Sequence, residues 1–176
     1  MKYAHQCLVK TSSLITIGAM LAVPLPAMAV KIHGAQAGHN VALGNRALMN
    51  ITGGDFNTAL GWDALRSNRL GSRNTAIGME SLTDNKGGND NTAIGSFALT
   101  DTPTGNANTA SGMGVLSKNT EGSHNTASGA FALSENVNGH HNTASGVYAL
   151  KKNIRGGFNT AMGSEALKEN TYGKLN

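Results

Sequence analysis

Cysteine, aromatic residues and clustered charge are all scarce in this sequence of 176 residues. Its one cysteine, Cys7, lies close to the N-terminus, so the rest of the chain has to be held together without disulfides. The 14 lysine and arginine residues are spread along the chain against 10 acidic ones. That spread argues against nucleic-acid binding, which needs clustered positive charge. No apolar segment reaches the roughly 20 residues that a membrane-spanning helix needs.

Residues 1–29 follow the plan of a secretory signal peptide. Lys2 and Lys10 precede the apolar run 14–23, and small residues at Ala27 and Ala29 then form an A-x-A cleavage site. We expect cleavage after Ala29, export, and a mature chain that is secreted or held at the bacterial surface without inserting into the membrane. Loss of the two lysines leaves 12 basic residues against 10 acidic ones.

A five-residue segment, Asn-Thr-Ala-x-Gly, recurs with a fixed period of 17 residues. Eight units fill residues 40–175, and Asn176 begins a ninth. Such a period is typical of a solenoid, in which each unit is one coil. We number the coils 1 to 8, and the positions within each coil 1 to 17 from its asparagine. Residues 30–39 lack the pattern and are interpreted as a leader or terminal cap. The asparagines at position 1 are Asn40, Asn57, Asn74, Asn91, Asn108, Asn125, Asn142 and Asn159.

Five positions are identical in all eight coils: Asn at position 1, Ala at 3, Gly at 5, Leu at 9 and Gly at 15. Position 2 is threonine in seven coils and position 12 is asparagine in six. The leucine is predicted to face the interior, which the alanines at positions 3 and 8 keep narrow. The glycines suit sharp corners or close backbone approach. The asparagines suit corners or hydrogen-bonded ladders between coils.

The period of 17 residues is too short for two-helix repeats, which begin at about 33. Burying one leucine yields roughly 1.5–3 kcal/mol, whereas ordering one unit costs on the order of 25 kcal/mol, so units must stack. We therefore predict an all-β fold, a parallel β-roll or β-solenoid of eight coils over residues 40–176, with two brief strands per coil. The alternative is a leucine-rich-like coil with a helical turn at positions 6–11.

The full pattern, Asn-Thr-Ala-x-Gly-x-x-Ala-Leu-x-x-Asn-x-x-Gly, resembles the head repeats of YadA-type trimeric autotransporter adhesins. Segments 76–78 and 93–95, both Ala-Ile-Gly, match most closely. The resemblance implies a left-handed parallel β-roll, a homotrimer, and attachment to host extracellular matrix or surfaces. Three departures stand out: a longer repeat, the absence of a coiled-coil stalk or membrane-anchoring strands after it, and serine at position 4 in Ser111, Ser128 and Ser145.

Histidines and carboxylates are the candidate site residues of the repeats. His124 and His141 share position 17 on adjacent coils, about 4.8 Å apart in a β-solenoid, which would bring them within reach of one metal ion. Position 17 also holds unrelated residue types, so we favour a turn position that accepts many side chains over a metal site. Asp63 and Glu80 share position 7, but same-column pairs are unavoidable in a solenoid and a solvated face is favoured. We predict no enzyme activity, no catalytic residue, no metal and no cofactor.

Hydroxyl and aromatic columns offer two further surfaces. Thr-x-Ser segments in coils 5–7 form a regular grid, a pattern with which some β-solenoids bind ice. The alternative is that these hydroxyls bond between coils or chains. Phe97, Phe131 and Tyr148 share position 7 and would form an apolar stripe suited to packing between chains. The Thr-x-Ser grid of coils 5–7 consists of Thr109, Ser111, Thr126, Ser128, Thr143 and Ser145.

The sequence thus predicts an exported module that acts as an adhesin head and mediates attachment. One alternative is a structural spacer or fibre segment without binding activity of its own, and a minor alternative is an ice-binding β-solenoid. Multivalent contact through the variable positions would give specificity, because the invariant positions are explained by the fold.

Overall fold

A computed structural model describes residues 39–176, and this part of the chain contains eight short strands and no helix. The predicted signal peptide and nearly all of the predicted leader fall on residues 1–38, outside the described part. No helix among residues 39–176 is long and apolar enough to cross a membrane. The strands are β1 Val41–Leu43, β2 Thr58–Leu60, β3 Thr75–Ile77, β4 Thr92–Ile94, β5 Thr109–Ser111, β6 Thr126–Ser128, β7 Thr143–Ser145 and β8 Thr160–Met162.

The eight strands form one parallel sheet in chain order, β1 to β8. Every pair is offset by one repeat, so that Ala59 pairs with Ala76 and Thr109 with Thr126. The predicted all-β parallel solenoid is confirmed. The helical turn of the leucine-rich-like alternative is wrong, because positions 6–11 form turns instead. At about 4.8 Å per coil, the eight coils make a rod roughly 40 Å long.

The prediction of two strands per coil is wrong, because each coil has only the strand at positions 2–4. The Ala-Leu segment at positions 8–9 was expected to be the second strand. Positions 7 and 9 instead adopt the left-handed backbone conformation, with φ of 57° at Asp63 and 51° at Leu65. A strand needs successive residues in the extended region, so a left-handed residue on either side of position 8 prevents one. Position 17 is also left-handed, as at His124 with φ of 59°.

The interior is a column of leucine flanked by two columns of alanine, as predicted. The position-9 leucines from Leu48 to Leu150 are at most 2% exposed, and the position-3 alanines at most 3%. Glycine at position 5 forms the predicted corner: Gly61 has φ of 143°, and a Cβ there would overlap the carbonyl oxygen of Gly78 in the next coil. Small side chains therefore let the coils stack at the spacing of a β-sheet.

Asparagine at position 1 forms a continuous hydrogen-bonded ladder along the rod, which confirms one of the two predicted roles. Asn108 is representative. Its Oδ1 accepts from the backbone N–H of Asn125 at 3.0 Å, and its Nδ2 donates to the carbonyl oxygen of Gly122 at 2.9 Å. The side chain thus links its own coil to the next and bonds the carbonyl of the corner glycine. Nearly all members are fully buried, and the ladder reaches Asn176.

A second ladder runs along position 12 and is interrupted in coil 4. In coils 6 and 7, Asn136 Nδ2 donates to Asn119 Oδ1 at 2.6 Å, and Asn153 Nδ2 donates to Asn136 Oδ1 at 2.9 Å. Coil 4 has Thr102 at this position, which is fully buried. As a result, two buried atoms have no hydrogen-bond partner, namely Thr102 Oγ1 and Asn85 Oδ1.

Replacing Thr102 with asparagine is expected to raise the free energy of unfolding by about 1–2 kcal/mol, because it satisfies an orphaned acceptor and continues the ladder. The measurement is the midpoint of equilibrium denaturation in guanidinium. Asp101→Asn, at the exposed neighbouring position, is the matched control and should change stability by less than about 0.5 kcal/mol. A Thr102→Asn variant no more stable than the control would contradict the ladder interpretation.

Position 16 carries a third ladder that sequence reasoning missed. In this ladder, the side chain at position 16 accepts a hydrogen bond from the backbone N–H of the position-16 residue one coil earlier. Ser72 N–H donates to Asn89 Oδ1 at 2.9 Å, and Ser123 N–H donates to His140 Nδ1 at 3.0 Å. The residues differ in type and share only a short side-chain acceptor. That shared property was the available signal, because coils 2 to 6 all have Ser, Asn or His there.

Candidate functional site

The outward side of the sheet, made of positions 2 and 4 in all eight coils, is the most regular surface of the rod. We call it the strand face. Position 3 of each strand is buried and its two neighbours are mostly exposed, as the alternation in a strand requires. No charged residue occurs at positions 1–6 of any coil, so the charges of the repeats lie elsewhere around the coil. The strand face is therefore repetitive and uncharged.

Position 4 of the strand face is apolar in coils 1–4, whereas position 2 is threonine in coils 2–4. Position 4 is leucine or isoleucine there, and Leu60 and Ile94 are 42% and 45% exposed. Position 6, which follows directly, adds Trp62 and Met79, which are also exposed. Exposed apolar side chains grouped in this way mark contact surfaces on soluble proteins. This half of the face therefore combines exposed apolar side chains with an absence of charge.

The strand face carries hydroxyl groups in coils 5–7, where the predicted Thr-x-Ser grid is present. All six side chains are exposed, and the three strands pair in register. The prediction left open whether these hydroxyls bond between coils. None of them makes a hydrogen bond to another residue in the described part of the chain. Threonine is stiff about χ1 on a strand, so the grid is rigid and presents free donors and acceptors to its surroundings.

The position-17 column forms a ladder of planar groups, with the predicted histidine pair in it. The His124 and His141 rings stack with centroids 4.9 Å apart and planes 2° from parallel, and Phe158 continues the stack at 4.8 Å. Among residues 39–176, no group of three or more histidine, cysteine or carboxylate side chains converges as a metal site would require. The histidines therefore pack as a stack on the rod surface.

The same column holds an ion pair between Arg73 and Asp90, with Nη2 2.9 Å from Oδ2. The hydrogen bond from the arginine lowers the pKa of the Asp90 carboxyl, and the same bond raises the pKa of Arg73. Both groups are exposed, so the pair aligns neighbouring coils and adds little stability.

The aromatic residues of position 7 form an interrupted column, because Gly114 lies between Phe97 and Phe131. Phe131 and Tyr148 stack at 5.6 Å, but Lys151 and Lys168 place their amines about 5.5 and 5.4 Å from the Tyr148 ring centroid. Those lysines cover the ring through cation–π contact. Phe97 remains 37% exposed. The stripe is thus partly covered by the chain itself, and the strand face offers the larger apolar surface.

The carboxylate of Asp63, at position 7, is buried and ion-paired. Asp63 is 2% exposed, although carboxylates are rarely buried without a partner. Arg66 Nη1 donates to its Oδ2 at 2.9 Å, and Arg46 Nε lies 3.1 Å from its Oδ1. This buried carboxylate links coils 1 and 2 through two arginines. It is therefore not poised for general acid–base chemistry with Glu80.

Comparison with known proteins adds no relative to this description. No family model matches the chain, and no significant match was found among curated proteins or solved structures.

Proposed function

We propose that this protein is an exported rod that assembles as a homotrimer and serves as the head of a surface attachment system. The observation that carries the proposal is the exposed apolar half of the strand face in coils 1–4. Leu60 and Ile94 are each more than 40% exposed on a surface without charge, and Trp62, which is 45% exposed, follows Leu60 at position 6. Association with further copies would remove this apolar area from water, at roughly 25 cal/mol per Å².

Attachment would come from the opposite side of the rod. With the strand face packed between copies, the variable positions 10, 11, 13, 14 and 16 of three chains would face outward. Repetition along the rod and around a three-fold axis would give many weak contacts, which add up to firm binding. The resemblance to adhesin head repeats supports this arrangement, including left-handed coiling. A spacer with no ligand of its own is the alternative within the same architecture.

A charge on the apolar half of the strand face is expected to separate the copies. Sedimentation equilibrium of the wild-type protein should give three times the single-chain mass, and Ile94→Glu should give the single-chain mass, because burying an unpaired carboxylate is costly. Leu70→Glu is the matched control: Leu70 is 67% exposed, but it lies at position 14, outside the strand face, so this variant should remain trimeric. A wild-type monomer at tens of micromolar would overturn the trimer.

The adhesion proposal is tested by measuring binding of the trimeric wild-type protein. Purified protein should bind at least one immobilised matrix protein or a host cell surface, and binding should be lost in the single-chain variant because multivalency is lost. Absence of binding across a broad panel, with the trimer intact, would favour the spacer.

The free hydroxyl grid of coils 5–7 favours ice binding as a second candidate. A rigid, flat, uncharged array of hydroxyl and methyl groups suits ordered water. Ice binding and trimer formation exclude each other, because a strand face buried between copies cannot contact ice. Thermal hysteresis of a monomeric wild-type protein, lost in Thr126→Lys, would support it. A trimer that shows no hysteresis and no ice shaping would remove it.

A further inference from the structure

The regular part of the position-12 ladder has one amide nitrogen that bridges two oxygens at each junction between coils. Asn136 Nδ2 donates to Asn119 Oδ1 at 2.6 Å and to the carbonyl oxygen of Gly139 at 3.0 Å. Two acceptors, one from the preceding coil and one from the same coil, are therefore placed to share a single donor. The same bridge is formed by Asn85, Asn153 and Asn170.

Coil 4 presents the same two acceptors, but Thr102 has no amide nitrogen with which to bridge them. Asn85 Oδ1 is buried and has no hydrogen-bond partner in the described part of the chain. The carbonyl oxygen of Gly105 accepts one bond, from Asn91 Nδ2 at 2.7 Å, and keeps its second lone pair. A Cβ built on Gly88 would lie 2.4 Å from both Asn85 Oδ1 and the Gly105 oxygen. The two acceptors are therefore close enough for one small molecule to reach both.

Two donors belong to the same place. Thr102 Oγ1 is fully buried and, among residues 39–176, has no partner. Asn119 Nδ2, one coil later, donates to the carbonyl oxygen of Gly122 at 2.7 Å, which uses one of its two hydrogens. In the next coil the other hydrogen goes to the asparagine of the preceding coil, and for Asn119 that preceding residue is Thr102, which has no amide oxygen. Two acceptors and two donors thus surround the point where an asparagine amide would lie.

We propose that one water molecule binds at this point, inside the rod and next to Thr102. It donates hydrogen bonds to Asn85 Oδ1 and to the carbonyl oxygen of Gly105, and it accepts hydrogen bonds from Thr102 Oγ1 and from Asn119 Nδ2. Four partners complete the bonding of a water molecule, and buried waters in proteins typically make about three such bonds. The water thereby continues the ladder across coil 4.

The four partners select a neutral molecule over an ion. All of them are uncharged, two accept and two donate, so the ligand has to donate twice and accept twice. A cation would be repelled by the amide hydrogen of Asn119, and an anion by the oxygens of Asn85 and Gly105. The side chain of Thr102 also ends one bond earlier than the asparagine of neighbouring coils, which limits the ligand to about the size of water.

The corner beside the site gives water a way in. In most junctions the backbone N–H groups of positions 13 and 14 both donate to the position-13 carbonyl of the next coil, as Lys86 and Gly87 do to Pro103 at 3.2 and 3.0 Å. Between coils 4 and 5, Pro103 has no N–H to donate. Thr104 Oγ1 donates to the carbonyl oxygen of Thr120 at 3.2 Å, and in the described part of the chain this side-chain bond replaces the two backbone bonds. Fewer bonds let this corner open more readily than its neighbours, so that the bound water exchanges with solvent.

This water site goes beyond the proposed function and does not rest on it, because the site lies inside a single chain. It also bears on the Thr102→Asn variant. The new asparagine supplies the missing amide covalently and displaces the water. The variant should still be more stable than the wild type, because the released molecule regains the freedom that binding had removed.

A count of long-lived internal waters gives the test. Oxygen-17 magnetic relaxation dispersion of the wild-type protein in solution measures the number of such waters per chain. Thr102→Asn should hold one water fewer than the wild type. Asp101→Asn, at the exposed neighbouring position, is the control and should hold the same number as the wild type. Equal counts for Thr102→Asn and the wild type would overturn the proposal.

A second variant should create the same site elsewhere in the ladder. Asn136→Thr places a threonine between Asn119 and Asn153, as in coil 4, and should hold one water more than the wild type while its circular dichroism spectrum stays the same. A folded Asn136→Thr protein with no additional water would contradict the proposed mode of binding.

A crystal structure of the wild-type protein supplies the geometry of the site. We expect one oxygen atom at about 2.7–3.2 Å from Asn85 Oδ1 and from the carbonyl oxygen of Gly105. Contacts of about 2.4 Å to these oxygens would identify a metal cation in place of water and would also overturn the proposal.

Discussion

Replacing Gly88 with alanine is expected to destabilise the rod by at least about 3 kcal/mol. Gly88 is the position-15 glycine of coil 3. A Cβ there would overlap the carbonyl oxygen of Gly105 in the next coil and Oδ1 of Asn85, and would lie 3.0 Å from Asn91 Nδ2. These neighbours are backbone and two ladder asparagines, so none can move without breaking hydrogen bonds between coils.

The adjacent glycine provides a control of the same chemistry. A Cβ at Gly87 would have no atom within 4 Å, and its φ lies outside the left-handed region. Gly87→Ala should therefore leave stability unchanged or raise it by roughly 0.4–1 kcal/mol, through the lower entropy of the unfolded chain. Equilibrium denaturation of both variants, followed by circular dichroism, measures the difference. Similar stabilities for the two would contradict the close stacking of coils at position 15.

The stacking of the coils was predictable from the sequence because the same contact is repeated. An invariant residue in a repeat meets copies of itself, so Leu, Ala, Gly and Asn columns each constrain one feature of every junction. The interior leucines, the narrow alanine core and the position-1 asparagine ladder follow from this logic. A single Leu48 or Asn57 would have carried no such information.

The course of the chain between strands was less predictable. Leu65 at position 9 and the aromatic residues Phe131 and Tyr148 at position 7 have no preference for the left-handed region and are uncommon there, whereas an aspartate such as Asp63 is enriched in it. The burial of Leu65 and the ion pairs of Asp63 offset the free-energy cost of the left-handed backbone conformation. Both are tertiary contacts, which local sequence does not reveal. Residue type at position 7 therefore gives no local signal, and the Ala-Leu segment reads as a strand by composition alone.

The candidate site was predictable in part. The Thr-x-Ser grid follows from strand periodicity once the strand is placed, so Thr126 and Ser128 could be assigned to one face. The packing of the position-7 aromatic residues between chains stays a prediction, and their partial cover was not foreseen, because Lys151 reaches the ring of Tyr148 from position 10 through a contact that depends on side-chain direction. The apolar half of the strand face was missed as a surface, since Leu60 and Ile94 resemble core residues in sequence. Only the buried alanine between positions 2 and 4 shows that they point outward.

Replacing Leu116 with alanine is expected to lower the free energy of unfolding by about 3 kcal/mol, within the 2–5 kcal/mol usual for buried leucine. Leu116 is fully buried in coil 5, between Leu99 and Leu133 of the neighbouring coils. The surrounding alanines cannot move in to fill the space, because backbone hydrogen bonds fix the spacing of the coils. The cavity would therefore stay open, which places the cost above that of a core able to collapse.

The same change at the end of the rod is the matched control. Leu167→Ala should cost about 1 kcal/mol or less, because Leu167 is 39% exposed and, among residues 39–176, only one neighbouring coil packs against it. Chemical denaturation of the two single variants compares them directly.

In a solenoid each coil is stabilised by its neighbours, so a weak junction in the middle also divides the rod into two shorter stacks. We therefore expect Leu116→Ala to broaden the transition and lower its m-value, which Leu167→Ala leaves unchanged. Equal effects from the two substitutions would show that the coils do not depend on their neighbours for stability.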